Sequence, residues 1–402
     1  MIEIVGKYNV AKVYTDNIEQ AAYAQVLNLM NQKFADGSTF AIMPDCHAGA
    51  GCVIGLTMRI VDKVVPNLVG VDIGCGMLVV KIDKSFVFDM PKVDRIWHED
   101  IPSGMHHRTT KHRFADLAKI EDIMAPIGVD RLKLSIGTLG GGNHFGEIDV
   151  DDEGNYYIVI HSGSRHLGIE VCKHYQRMAI EYHKCKKMSD VSIIQKLKNE
   201  GRQSEIEAVL KANKDSLPSI PDELAYLEGQ QLEDYLHDMK IAQEYAVWNR
   251  EAMMDVLLQG LGIGKDSILE KFCTIHNYID INNRILRKGA ISLQKDETAI
   301  IPMNMRDGSL IVCGKGNPEW NLSGPHGAGR IMSRSKAKES LSIDEFKQSM
   351  DGIYTTCVES GTIDESPMAY KPMDEIVKNI QDTAEIVNII KPIYNFKASE
   401  AK

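Results

Sequence analysis

No apolar run in the 402 residues approaches the ~20 consecutive apolar positions that a membrane-spanning helix needs. The opening residues, MIEIVGK, lack the basic-then-apolar pattern of an export signal, so the expected location is the cytoplasm. The eight cysteines include no CxxC pair and form no regular framework, which argues against a disulfide scaffold or a zinc ribbon. In a reducing compartment a well-placed cysteine serves as a metal ligand or nucleophile more often than as half of a bridge. Positive charge is not in surplus: 46 Lys and Arg face 56 Asp and Glu, for a net charge of −10. That argues mildly against a protein coated by nucleic acid, but not against an enzyme with a local basic groove. Three local clusters exist: His106, His107, Arg108, Lys111, His112 and Arg113; His183, Lys184, Lys186 and Lys187; Arg330, Arg334, Lys336 and Lys338. No Walker-type loop is present, because Gly137-Thr138-Leu139-Gly140-Gly141-Gly142-Asn143 lacks the closing Lys-Ser/Thr. Internal repeats and low-complexity tracts are also missing.

What remains is an ordinary globular composition, 44% hydrophobic and 25% charged, long enough to bury a large core without metal or disulfide staples. Residues 39–43, 53–60 and 77–82 are β-branched or apolar runs between glycine-rich loops, and they predict strands. Residues 156–160 predict a strand that delivers His161. Apolar residues recur at helical spacing over 170–187 and 192–212. Leu217-Pro218-Ser219-Ile220-Pro221 breaks the pattern, and 222–258 resumes it. Residues 373–390 predict a last helix, and 392–397 a final strand that carries Lys397. The expected architecture is α+β: one compact domain over 1–402, a β-rich body with a helical excursion at about 170–262.

Several loops hold residues suited to chemistry. Asp72 and Cys75 stand three apart between Gly70, Gly74 and Gly76, so a carboxylate and a thiolate can converge on one ion without regular structure. His144 follows the glycine run 140–142, His161 opens His161-Ser162-Gly163-Ser164-Arg165, and His276 lies in Thr274-Ile275-His276-Asn277. Imidazole, thiolate and carboxylate together suit zinc, manganese or iron, and ligand type does not choose among them. His326 sits in Ser323-Gly324-Pro325-His326-Gly327-Ala328-Gly329-Arg330, where small neighbours let a phosphorylated ligand reach the ring and backbone N–H groups. A histidine acting as nucleophile toward phosphorus makes a phosphoramidate, and Arg330 can add a bidentate phosphate contact.

These motifs, taken in order, resemble the RtcB RNA-splicing ligase family. The resemblance is carried by Pro44-Asp45-x-His47, Gly70-Val71-Asp72-Ile73-Gly74-Cys75-Gly76-Met77, the 137–145 loop and His161-Ser162-Gly163-Ser164-Arg165. It continues through His276-Asn277-Tyr278, Arg287-Lys288-Gly289-Ala290, His326-Gly327-Ala328-Gly329-Arg330 and Pro367-Met368-Ala369-Tyr370-Lys371. It implies two Mn(II) ions bridged by Cys75, one completed by His161 and His276 and the other by Asp72 and His144. It also implies GTP as cofactor and His326 as the residue that becomes guanylylated. Asn143, Phe145, Glu147, Asn304, Ser309, Gly327, Ala328, Gly329, Tyr370 and Lys397 match nucleotide-binding positions, and Arg165 and Arg330 match contacts to phosphate or RNA. The implied partner is RNA with a 3′-phosphate or 2′,3′-cyclic phosphate on one piece and a 5′-hydroxyl on the other, with room for an activating accessory protein.

The sequence departs from the family in one stretch. Where the family reads Pro-Gly-Ser-Met-Gly, this chain has Pro302-Met303-Asn304-Met305-Arg306-Asp307-Gly308 before Ser309. Bulk replaces glycine next to the nucleotide, and Arg306 brings a cation that can grip a phosphate or an RNA end. The departure leaves open a guanylyltransferase that caps or repairs 3′-phosphate ends with poor sealing. A non-catalytic RNA-binding paralogue and a metallophosphoesterase are further alternatives.

Overall fold

The computed structural model describes residues 1–216 and 220–398. Two sheets carry most of the chain. The six-stranded sheet runs Ile2–Val5, Val10–Val13, Phe40–His47, Ile54–Arg59, Ile285–Lys288, Asn277–Asp280. The seven-stranded sheet runs Ile268–Ile275, Gly76–Ile82, Tyr156–Ser162, Phe145–Val150, Ala384–Lys397, Gly308–Gly314, Thr298–Asn304. All pairings in the second sheet are antiparallel. The α+β expectation is met, and the helical excursion lies between the strands Tyr156–Ser162 and Ile268–Ile275, with helices His166–Asn199, Ile206–Ser216 and Gln230–Leu261.

Each sheet buries a face against this helical layer. Ile4, Val13, Ile42, Leu56 and Leu286 of the first sheet join Val171, Tyr175, Tyr235 and Met239 of the long helices in one apolar cluster. Leu78, Val80, Ile148, Ile158 and Phe396 of the second sheet pack on Met253 and Leu257, and on Trp97 of helix Met90–Glu99. The opposite face of the second sheet curls onto itself: Met77, Val79, Phe145 and Val159 meet Ile300, Ile311 and Ile390 from its far strands. Alternate residues of one strand therefore enter two different cores, as the period of two requires.

Register decides what arrives at the end of this sheet. Gly76 pairs with both Ile275 and Ser162, and Met77 and Phe145 both pair with His161. A Cβ at Gly76 would lie 2.2 Å from the carbonyl oxygen of Thr274, so only glycine allows this approach. Cys75, His144, His161 and His276 consequently emerge side by side at one edge.

Three sequence expectations are corrected. Residues 373–390 are not one helix: the helix covers Met373–Asn379, and Ala384–Lys397 is a single 14-residue strand. The run Ile386-Val387-Asn388-Ile389-Ile390 is rich in β-branched residues, and pairing with Gly308–Gly314 overrides its helical spacing. Helix does not resume at 222 either. Asp222–Leu224 is one 3-10 turn, Leu227–Glu228 pairs with Lys63–Val64, and the helix begins at Gln230. The 192–212 segment is split at Gly201, ending one helix at Asn199 and starting the next at Ile206. The expected break at 217–221 falls mainly on 217–219, outside the described residues. No helix among the described residues is long and apolar enough to cross a membrane.

Candidate metal centre and nucleotide cavity

Five side chains converge at the sheet edge. Cys75 Sγ lies 3.2 Å from His161 Nε2 and 3.4 Å from His144 Nε2. His161 Nε2 and His276 Nε2 are 3.0 Å apart, and His144 Nε2 is 3.0 Å from Asp72 Oδ2. Two groups able to hold a metal ion result, Cys75–His161–His276 and Asp72–Cys75–His144, with Cys75 common to both. The rings are oriented from behind. His144 Nδ1 faces the carbonyl of Leu139 at 2.9 Å, and His161 Nδ1 that of Asn143 at 3.1 Å. Donation from each Nδ1–H leaves Nε2 as a lone pair aimed at the cluster, the arrangement a metal-binding imidazole requires. His276 is anchored through its backbone N–H, which donates to the carbonyl of Cys75.

Electrostatics fits the same use. Burial pushes His161 and His276 well below the ordinary imidazole range, so both rings are neutral, as metal binding by imidazole requires. Burial alone would raise the Asp72 carboxyl, but the hydrogen bond and charge of His144 outweigh it and hold the group at about 2. Burial and the Asp72 charge push the Cys75 thiol well above its usual range. A cation would reverse that by binding the thiolate. Two soft-to-intermediate donor sets that converge on neighbouring points and share a sulfur fit a pair of divalent transition-metal ions.

Beside the cluster lies a cavity of about 330 Å³. His326 borders it, with its ring centroid 4.9 Å from that of His276. Asp45, fully buried, holds His326 from behind. One carboxylate oxygen accepts the backbone N–H groups of His326 and Gly327 at 3.1 and 3.3 Å, and lies 2.7 Å from the His326 Nδ1. Nδ1 has no hydrogen-bond partner among the described residues, so this is a close approach of charge to the ring and places Nδ1 on the Asp45 side. At the far side, Glu365 gathers cations and a hydroxyl: Lys397 Nζ at 2.7 Å, Arg334 at 2.9 Å, and Tyr370 Oη at 2.6 Å. Burial opposes its charge, yet Lys397 and Arg334 hold the carboxyl below its ordinary range.

The model of the family described as tRNA-splicing ligase RtcB matches residues 25–129 and 127–398. The chain belongs to the RtcB family. It is 30% identical to the RNA-splicing ligase RtcB of Escherichia coli K12, covering 94% of both chains. It is 27% identical to the tRNA-splicing ligase RtcB of Aeropyrum pernix over 84% of this chain and 83% of that one. It is 24% identical to the RNA-splicing ligase RtcB2 of another Escherichia coli strain, over 90% and 88%.

Within this RtcB-family chain, Asn143, Phe145, Glu147, Asn304, Gly327, Ala328, Gly329, Tyr370 and Lys397 all line the cavity. Ser309 does not. It is fully buried between the strands, opposite Pro302 and Ile390, and its hydroxyl has no hydrogen-bond partner among the described residues. Arg330 lines the cavity but is engaged by the Asp364 carbonyl at 2.6 Å and stands over the Tyr370 ring. Arg165 approaches Gly140 on the same side as His144, donating to Thr138 and to the Gly104 carbonyl. It adopts φ 55°, a conformation costing about 1–3 kcal/mol that these contacts must offset. Arg306 does not reach the cavity: its guanidinium pairs with Asp307 at 2.7 Å, and Asn304 Oδ1 closes the turn by accepting the backbone N–H groups of Arg306 and Asp307. The basic clusters are largely neutralised. Lys111 meets Asp116, Arg113 meets Asp255, Lys184 meets Asp222, and Lys338 meets Asp364. The side chains of Lys186 and Lys187 lie outside the described residues. Asp45, His47, Glu365 and Asn395 are among the residues at the site that motif reading assigned no role. Asp45 and His47 were visible within Pro44-Asp45-x-His47, whereas Glu365 stands just ahead of the Pro367–Tyr370 motif without a signal of its own.

Proposed function

We propose that this chain is a GTP-dependent RNA ligase that joins RNA 3′-phosphate or 2′,3′-cyclic phosphate ends to 5′-hydroxyl ends through covalently guanylylated His326. The reading is carried by one observation: an imidazole backed by a buried carboxylate borders a nucleotide-sized cavity next to a two-site metal-ligand cluster. Names of the relatives, RNA-splicing and tRNA-splicing ligases, support the substrate class.

In this scheme His326 Nε2 attacks the α-phosphorus of GTP. The bond to the bridging oxygen breaks, pyrophosphate leaves, and a phosphoramidate holds GMP on the ring. Asp45 stabilises the imidazolium character that develops, through its contact with Nδ1. An oxygen of the RNA 3′-phosphate then attacks the same phosphorus, the P–N bond breaks, and the RNA end carries GMP. Attack by the 5′-hydroxyl oxygen on the 3′-phosphorus, with loss of the hydroxyl proton, expels GMP and closes the phosphodiester. A cyclic end is first opened by water. Asp72, Cys75, His144, His161 and His276 would hold two Mn(II) ions, which when bound neutralise charge building on phosphoryl oxygens. Lys397, Tyr370 and Arg330 are suited to gripping the nucleotide and its phosphate, while Phe145 offers an apolar wall.

The test is incubation with labelled GTP and Mn(II), followed by mass mapping and then by an RNA joining assay. The protein should gain one GMP on His326 in an alkali-stable, acid-labile bond, and His326→Ala should abolish it. An adduct that survives His326→Ala overturns the assignment. An adduct without joined RNA would favour the capping or repair alternative.

A further inference from the structure

Glu147 and Asp149 are two apart on the strand Phe145–Val150, so their side chains leave the same face of the sheet. Glu147 is 3% exposed and lines the cavity, and Asp149 behind it is fully buried. Glu147 accepts the Asn395 side-chain amide at 2.6 Å. Among the described residues, neither carboxyl oxygen of Asp149 has a hydrogen-bond donor. Among the described residues no cation answers this second carboxyl. Lys397, the cation nearest the pair, is held by Glu365, and Lys81 is drawn to Asp151 at 3.4 Å. Tyr157, opposite Asp149 on the neighbouring strand, donates its hydroxyl to Asp151 at 3.1 Å. Val159, Ile300, Ile311 and Ile390 belong to the apolar cluster that Phe145 and Tyr157 join on this face. Two like charges this deep on one face of a strand, with only Lys397 acting on Glu147 and none on Asp149, are not stable together.

We propose that Asp149 stays protonated and donates its hydroxyl to Glu147, and so fixes the Glu147 carboxyl as an acceptor on the cavity wall. Asp149 is thus a positioning residue, and its effect on nucleotide binding rests on the GTP reading above. A carboxylate has acceptors only. Burial first, then the neighbouring Glu147 charge, pushes the Asp149 carboxyl well above its usual range, whereas burial lifts Glu147 to about 7 against the pull of Asn395 and Lys397, so of the two Asp149 is the one that keeps a proton at neutral pH.

Two variants separate this from a steric role. Asp149→Asn keeps a donor toward Glu147 but has no proton to lose, and Asp149→Val removes the donor. The infrared difference spectrum of wild type minus Asp149→Asn, recorded without nucleotide at neutral pH, should contain the carbonyl band of a protonated carboxylic acid. In guanylylation assays with GTP, Asp149→Val should raise the KM for GTP by about tenfold, the size of losing one charge-assisted hydrogen bond, at little change in kcat. Asp149→Asn should keep the parent's neutral-pH KM and lose the alkaline rise in KM that wild type shows once the shared proton is gone. Absence of the infrared band overturns the proton pair. A parent-like Asp149→Val, or an Asp149→Asn as impaired as the valine variant while still folded, overturns the positioning role. If wild type forms no adduct with GTP, the GTP reading falls, and the band alone decides the pair.

Discussion

At His326 the imidazole is held from one side by Asp45, whose carboxylate also collects two backbone N–H groups. A neutral amide can keep the shape but not the charge that answers a developing imidazolium. Asp45→Asn should therefore slow formation of the GMP adduct by about 10²–10⁴-fold, the range seen when the carboxylate behind a reactive histidine is neutralised. Rapid-quench sampling with labelled GTP measures it, and a parent-like rate would remove Asp45 from the chemistry. Asp149 leads to a prediction about stability. Its folded-state pKa is raised above its ordinary value of 3.8. The stability it contributes is thus complete below that value and is lost as pH rises toward the folded pKa. Asp149→Asn removes this loss. Its stability relative to wild type should grow from pH 4 to pH 8, by up to about 1.4 kcal/mol per pH unit. Urea melts across that range test the sign, and a constant gap would mean that Asp149 ionises normally.

At the scale of elements, the strand Phe145–Val150 is positioned from both faces. Behind it, a Cβ at Gly146 would fall 1.9 Å from the Trp97 ring, which stacks on Phe396 with centroids 5.3 Å apart. Gly146→Ala should thus destabilise the fold by about 1–3 kcal/mol, the usual cost of overpacking. Chemical denaturation would show it, and an unchanged midpoint would mean that helix Met90–Glu99 yields freely. The hairpin tip between Thr298–Asn304 and Gly308–Gly314 carries the family departure. Met303 is buried with Ile376 and Ala328, and Met305 with Phe346 and Met350, while both also border the cavity. The extra bulk is therefore structural as well as local to the nucleotide. Arg306 is exposed and tied to Asp307, so Arg306→Ala should change the KM for GTP by no more than about twofold, as ordinary surface substitutions do. A much larger rise would show that the guanidinium leaves Asp307 for the ligand. Sequence could not resolve this tip, because volume at 303 and charge at 306 say nothing about which side chain turns inward.

For the whole molecule, what was legible followed from chemistry confined to short segments. Cysteine, histidines and acid in glycine-rich loops pointed to a shared set of possible metal ligands, and the apolar, β-branched runs at 77–82 and 156–160 announced the strands that bring it together. What stayed hidden depends on pairing between distant segments. Residues 384–390 read as helix until the strand Gly308–Gly314 claims them, and Glu365 gains meaning only when Lys397 arrives from the last strand. The ligand set has the same non-local character. Asp72 and Cys75, His144, His161 and His276 come from four stretches of chain, with the helical excursion between the third and the fourth. An ion bound there ties those stretches together in the folded state and has no comparable site in the unfolded chain. Adding Mn(II) to chelator-stripped protein should therefore raise the melting temperature, by an amount equivalent to about 2.7 kcal/mol at a hundredfold excess over Kd. Cys75→Ala should remove most of the shift, since one sulfur serves both sites. His326→Ala should keep it, because that residue belongs to neither ligand group. Differential scanning fluorimetry with matched metal analysis decides the point. A full Mn(II) shift in Cys75→Ala would show that the ion binds elsewhere and that the thiol is merely buried.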